Sequence, residues 1–205
     1  MGSKRAYLVI LSRLIEACSE DRGITHIMMI TGLNYPQTRK YLNEALSKGL
    51  VITVREGPDS RRLYRATIKG LRFTEVIHEL ERLLSNGPSR RANLRVKLIN
   101  IKIGSNGVKI LKMAPSSRRR DRLDINACIL AKALKPSQST ELCNKCFISW
   151  VTCNRVINEL LNLGLLRRTP YTTQRIFETT TLGQYYLTKY IEAVTMIGNL
   201  MFSKW

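Results

Sequence analysis

The chain repeats itself, and that repetition constrains its fold more than any other feature. Leu33–Leu50 aligns with Ile148–Leu165 without a gap, so that Asn43-Glu44 meets Asn158-Glu159 and Gly49-Leu50 meets Gly164-Leu165. Further on, Tyr64–Gly70 aligns with Phe177–Gly183 after a shift of two residues, which places the length difference in a loop, where insertions are tolerated. Self-similarity on this scale means two copies of one supersecondary unit, and it sets the architecture before any motif is interpreted.

Each copy presents its elements in the same order. A first helix (about 5–19 and about 123–134) precedes a short second helix, opened by Thr25 or Thr140 as N-caps. A third helix follows, capped by Asn34 or Ser149, with Pro36 in its first turn and Gly49 or Gly164 at its end in the left-handed conformation glycine favours. Two short strands come next, Val51–Arg55 and Leu63–Ala66 in the first copy, Leu166–Thr169 and Arg175–Glu178 in the second, and a last helix begins near Gly70 or Gly183. Helix, helix, helix, hairpin, helix is the winged-helix order. The expected fold is therefore mainly α with small β-wings (α+β): winged helix-turn-helix domains over 1–86 and 123–205, joined by a segment over 87–122. That segment alternates apolar and basic residues over Asn93–Ile103 and again over Val108–Met113 around Gly104-Ser-Asn-Gly107, the pattern of a basic β-hairpin.

Charge points to the partner. The chain carries 34 Lys and Arg against 15 Asp and Glu, a formal net charge of +19, and self-repulsion of that size is relieved by a polyanion. Residues 87–122 hold 11 basic side chains and 1 acidic one, Arg118, Arg119 and Arg120 among them, so the connecting segment carries about half the excess. No uncharged run reaches the roughly 18 residues of a membrane span, and a cytoplasmic, nucleoid-associated protein is expected. The five cysteines are odd in number and irregular in spacing, which argues against a disulfide framework. Cys143-Asn-Lys-Cys146 has the spacing of half a zinc site, but the other half is missing and Cys153 falls on a core stripe. Buried free thiols and no metal are the expectation.

On the third helix of the first copy, Tyr35, Thr38, Leu42, Ala45 and Leu46 recur at helical spacing as the buried stripe. This turns Gln37, Lys40, Asn43, Glu44 and Ser47 outward, with Arg39 at the flank. Lys and Arg reach phosphates or guanine edges and Gln and Asn pair with adenine, so this face suits a major groove. The second copy presents Val151, Thr152, Arg155, Asn158, Glu159 and Asn162, with Asn154 where the first has Arg39, a less basic face that fits either base reading or a protein partner. The wings add Arg55, Arg61, Arg62 and Arg65 in the first copy and Arg167, Arg168 and Arg175 in the second, placed to hold phosphates. No nucleophile, base or Gly-rich phosphate loop forms a catalytic set, and neither an enzyme nor a cofactor is expected. The last helix, about 183–202, is apolar enough either to form a homodimer seam or to pack within the chain.

The run Ile24–Leu50, with Thr25-His-Ile-Met28, Leu33-Asn-Tyr35, Tyr41-Leu42 and Lys48-Gly-Leu50, together with Thr67-Ile-Lys-Gly70, resembles the archaeal winged-helix family of small basic chromatin-associated proteins and transcription regulators. The similarity covers about residues 5–84, and the second copy keeps the pattern more loosely. It implies double-stranded DNA binding and dimers through a long C-terminal helix. The functions to distinguish are a DNA-binding regulator or architectural protein, a protein-assembly module of transcription, replication or chromosome partition, and an RNA-binding protein.

Overall fold

The computed structural model describes residues 7–54, 62–85, 121–169 and 175–198, and the chain divides into two compact units. Divisions fall inside the last helix of each repeat, between Leu80 and Glu81 and between Tyr190 and Ile191, and each repeat is described as one unit through the end of that helix.

The first unit runs α1 (Tyr7–Ala17), β1 (Arg22–Gly23), α2 (Ile24–Thr31), α3 (Tyr35–Ser47), β2 (Val51–Val54), β3 (Leu63–Ala66) and α4 (Ile68–Ser85). Leu8, Leu11, Leu14 and Ile15 recur every three or four residues along α1, and all are buried, as are Ile27, Leu42, Ala45, Phe73, Ile77 and Leu80. Each large apolar side chain removed from water contributes about 1.5–3 kcal/mol, so the shared core, rather than local propensity, holds these short helices. The three strands are antiparallel in the order β1-β3-β2, with Val51 opposite Ala66 and Arg22 opposite Tyr64.

The second unit repeats this order: α5 (Arg122–Lys132), β4 (Ser137–Gln138), α6 (Ser139–Lys145), α7 (Trp150–Asn162), β5 (Leu166–Arg168), β6 (Ile176–Thr179) and α8 (Thr181–Met196), with strand order β4-β6-β5. Its core is built from Leu123, Ala127, Ile129, Leu130, Leu142, Ile157, Leu160, Phe177, Tyr186 and Tyr190. Asp121 and Asp124 open α5 with a reciprocal capping box, each carboxylate accepting the other's backbone N–H at 3.0 Å.

One joint recurs in both units and positions everything after the wing. The Thr67 hydroxyl donates to the carbonyl of Gly49 at 2.8 Å and accepts the N–H of Gly70 at 3.0 Å. Thr180 does the same with Gly164, at 2.6 Å, and Gly183, at 3.1 Å. The glycines are obligatory for a steric reason. A Cβ on Gly70 would lie 2.1 Å from the carbonyl oxygen of Leu50, and one on Gly183 would lie 2.3 Å from that of Leu165. The Thr-x-x-Gly spacing visible in the sequence is thus a clamp between the last helix and the end of the third.

Several expectations are corrected. Thr25 and Thr140 are not N-caps: α2 and α6 start one residue earlier, with Gly23 and Gln138 in the cap position and no side-chain cap bond. The strands β1 and β4 add a third member to each sheet, which two-residue segments cannot announce by alternation. β6 begins one residue later than expected, at Ile176, and alternation along it puts Phe177 and Thr179 in the core. Tyr35 is 49% exposed and lies outside the buried stripe. The helices α4 and α8 begin at Ile68 and Thr181, two residues ahead of their glycines. The expected hairpin over 93–113 lies outside the described residues, as do Leu200, Met201 and Phe202.

The cysteine expectation is overturned. Cys128 pairs with Cys146 and Cys143 with Cys153, leaving only buried Cys18 free. The Cα–Cα separations are 6.0 Å and 5.6 Å, ordinary bridging distances. The partners come from α5, from α6 and its C-cap, and from α7, so the pairing is made by helix packing and is invisible in spacing along the chain. Cys143 and Cys146 therefore do not act together as half a zinc site.

Candidate nucleic-acid interface

The third helix of the first unit is anchored at its start and along its inner face. The Asn34 side chain accepts the N–H of Gln37 at 3.0 Å, Pro36 occupies the first turn, and Thr38, Leu42 and Ala45 are buried. What remains outward is Gln37, Arg39, Lys40, Asn43 and Ser47, all exposed. Glu44, expected on that face, is half-buried and accepts a hydrogen bond from the Tyr7 hydroxyl on α1. The helix's one carboxylate is thereby drawn off the outward face, whose charges are then Arg39 and Lys40.

In the second unit, Ser149 caps α7, its hydroxyl oxygen accepting the N–H of Thr152 at 3.4 Å while its proton goes to the Thr152 hydroxyl at 2.9 Å. Cys153, Val156, Ile157 and Leu160 face the core. Arg155, Asn158 and Asn162 are exposed, while Thr152 and Asn154 are half-buried, Thr152 engaged in the cap. Glu159 is held by Arg122 of α5 at 3.2 Å. Arg155 is the charge this face presents.

The wing arginines divide into engaged and exposed. Arg65 makes a two-point contact with Asp21, just ahead of β1, and that hydrogen-bonded pairing holds the Asp21 carboxyl below its ordinary value. In the second unit Glu178 stands at the position of Arg65, and it is Arg167 that is engaged, to Glu178 across β5 and β6 at 2.7 Å. Arg62, Arg168 and Arg175 are exposed. Arg55, Arg61, Arg118, Arg119 and Arg120 lie outside the described residues. The structure thus brings Gln37, Arg39, Lys40 and Asn43 together on one helix face, and assigns Arg65 and Arg167 to intrachain ion pairs.

Sequence reading placed Val151 outward but missed Phe147 and Trp150, which complete the tip of the second helix-turn-helix. Phe147 is 84% exposed, Trp150 51% and Val151 78%, and Phe147 holds a φ of +50°. The matching position in the first unit is Gly32, at +65°. The aligned repeat contained a signal for this, an aromatic where its partner copy has the glycine of a left-handed turn. Among the described residues no group of three or more His, Cys, Asp or Glu is placed to hold a metal, and no helix is long and apolar enough to cross a membrane.

Two copies of a four-helix unit, each with a three-stranded sheet and a capped, outward-facing third helix, define a tandem winged helix-turn-helix protein. The chain belongs to the winged helix-turn-helix family, whose sequence model matches residues 4–85 and again 119–197. Among solved structures it is similar to Sso10a-2, a DNA-binding protein from Sulfolobus solfataricus. The identity is 26%, over 38% of this chain and 81% of that one, with a TM-score of 0.36. No curated protein sequence matches the chain.

Proposed function

We propose that this chain binds double-stranded DNA as a transcription regulator or architectural protein of the nucleoid, with α3 entering the major groove. The observation that carries the reading is the outward face of α3. Four side chains able to bond base edges or phosphates, Gln37, Arg39, Lys40 and Asn43, stand on a helix whose cap and buried stripe fix its orientation, while its carboxylate is turned aside to Tyr7. The net charge of +19 and the exposed Arg62, Arg168 and Arg175 supply attraction to phosphates. A homodimer through α8 is not part of this reading, since Tyr186, Leu187 and Tyr190 of its first half are already buried within the chain.

The test is duplex binding at two salt concentrations, with and without Arg39→Gln and Lys40→Gln. The reading expects steep salt dependence, and for the double variant a loss on the order of tenfold to a hundredfold, with a salt slope shallower by about 2. Affinity that is indifferent to salt, or unchanged in the double variant, is the result that favours a protein-assembly role instead.

A further inference from the structure

The second unit carries three large apolar side chains that its fold leaves exposed. Phe147 stands in the turn between α6 and α7, and Trp150 and Val151 open α7, all within five consecutive residues and all more than half exposed. The backbone bonds of the turn do not involve these side chains. The Phe147 N–H bonds the Asn144 carbonyl at 3.1 Å and the Ile148 N–H bonds the Cys143 carbonyl at 3.2 Å, bonds that any residue there would make. Holding an aromatic at a φ of +50°, where the first unit has Gly32, costs conformational energy without gaining burial.

The surroundings select the occupant. Arg155 and Asn158 follow Val151 at four and seven residues, which places all three on one exposed ridge of α7. The carboxylate of that helix, Glu159, is taken up by Arg122. Arg168 and Arg175 add exposed positive charge on the adjoining wing. An apolar tip of three residues continued by cations and amides, on the helix that matches α3, is complementary to a polyanion that displays small apolar groups in a groove. Thymine 5-methyl groups in the major groove are such groups, and apolar side chains recognise them by contact.

We infer that Phe147, Trp150 and Val151 form a thymine-methyl contact surface, through which the second unit reads A·T-rich duplex DNA by apolar packing rather than by hydrogen bonds. This rests on the DNA-binding reading above and deepens it by assigning a mode of recognition to α7.

The experiment compares full-length protein on poly(dA·dT) and on poly(dA·dU), duplexes that differ in the 5-methyl group, at one fixed salt concentration. The wild-type chain is expected to prefer the thymine duplex by roughly fourfold for each methyl buried. The variant carrying Phe147→Gly, Trp150→Gln and Val151→Ser, with its unfolding transition checked against the wild type, is expected to bind both duplexes alike. Arg39→Gln with Lys40→Gln should weaken both and leave their ratio unchanged. Equal binding of the two duplexes by the wild type, or a preference that survives the triple substitution, overturns the inference while leaving DNA binding intact. Unaltered affinity of the triple variant for both duplexes also overturns it and assigns the tip to a protein partner. Failure to bind either duplex overturns the DNA reading itself and the inference with it.

Discussion

The two units share a backbone and differ in what they carry on it. Where the chain approaches itself closely, the residues are the same: Thr67 and Thr180 clamp the last helix, and Gly70 and Gly183 admit the carbonyls of Leu50 and Leu165. Where side chains only fill or face outward, they have diverged. Arg39 and Lys40 on α3 correspond to Asn154 and Arg155 on α7, Gly32 corresponds to Phe147, and Thr31 and Thr38 correspond to Cys146 and Cys153. Even the core differs, since buried Leu11 is matched by buried Asn126, whose Oδ1 has no hydrogen-bond partner among the described residues. A 2.1 Å approach to backbone admits one residue type, whereas a core volume or a solvated face admits many.

The sharpest break between the units is expected from reductant. The two bridges close loops of 18 and 10 residues, all within the second unit, and each contributes about 3 kcal/mol by restricting the unfolded chain. Denaturant unfolding with and without dithiothreitol should show the second unit's transition shift to lower denaturant while the first stays in place. If both shift together, the units do not unfold independently.

Next in size, Gly70→Ala and Gly183→Ala should each destabilise the unit that carries it by about 3 kcal/mol or more, because the added methyl meets backbone that cannot move aside. Here the units should respond alike, and a difference exceeding the error of the denaturation curves would show that one clamp is looser than its geometry indicates.

A smaller effect separates the helix-turn-helix turns. Gly32→Ala should cost about 1 kcal/mol, because a side chain is placed at a φ of +65°. Phe147→Gly, at +50°, should cost nothing measurable and raise stability slightly. A clear loss of melting temperature in Phe147→Gly would mean that the ring supports the fold.

The smallest expected effect is with pH. Arg65 holds the Asp21 carboxyl below its ordinary value of 3.8 in the folded state, so the contact's contribution is fully present above that value. It is lost as pH falls through the lower folded value. The pair is exposed, and Asp21→Asn should flatten the acid limb of the first unit's stability only marginally. A large change there would mean that the ion pair is better shielded from solvent than its exposure indicates.

Much of the scaffold was legible because it rests on local rules. Asn34 and Ser149 cap their helices, Gly49 and Gly164 adopt φ of +66° and +68°, and β3 spans Leu63–Ala66 as expected. Each is a property of a few consecutive residues. The candidate site was legible in part, since helical spacing placed Gln37, Lys40 and Asn43 outward and Arg39 at their flank without reference to the rest of the chain. It could not show that Glu44 turns to Tyr7, 37 residues away, or that Arg65 is drawn to Asp21 at a separation of 44.

The amino-acid order by itself determined the duplication, the order of helices and wing strands, the caps of the two third helices and the excess of positive charge, because periodicity, turn chemistry and composition act within a few residues or over the whole chain. Tertiary structure alone decided which cysteines bond, which arginines are already paired, and that Phe147 and Trp150 stand in solvent beside Val151. Those outcomes depend on which side chains distant segments bring within bonding distance or leave uncovered, and folding sets those distances.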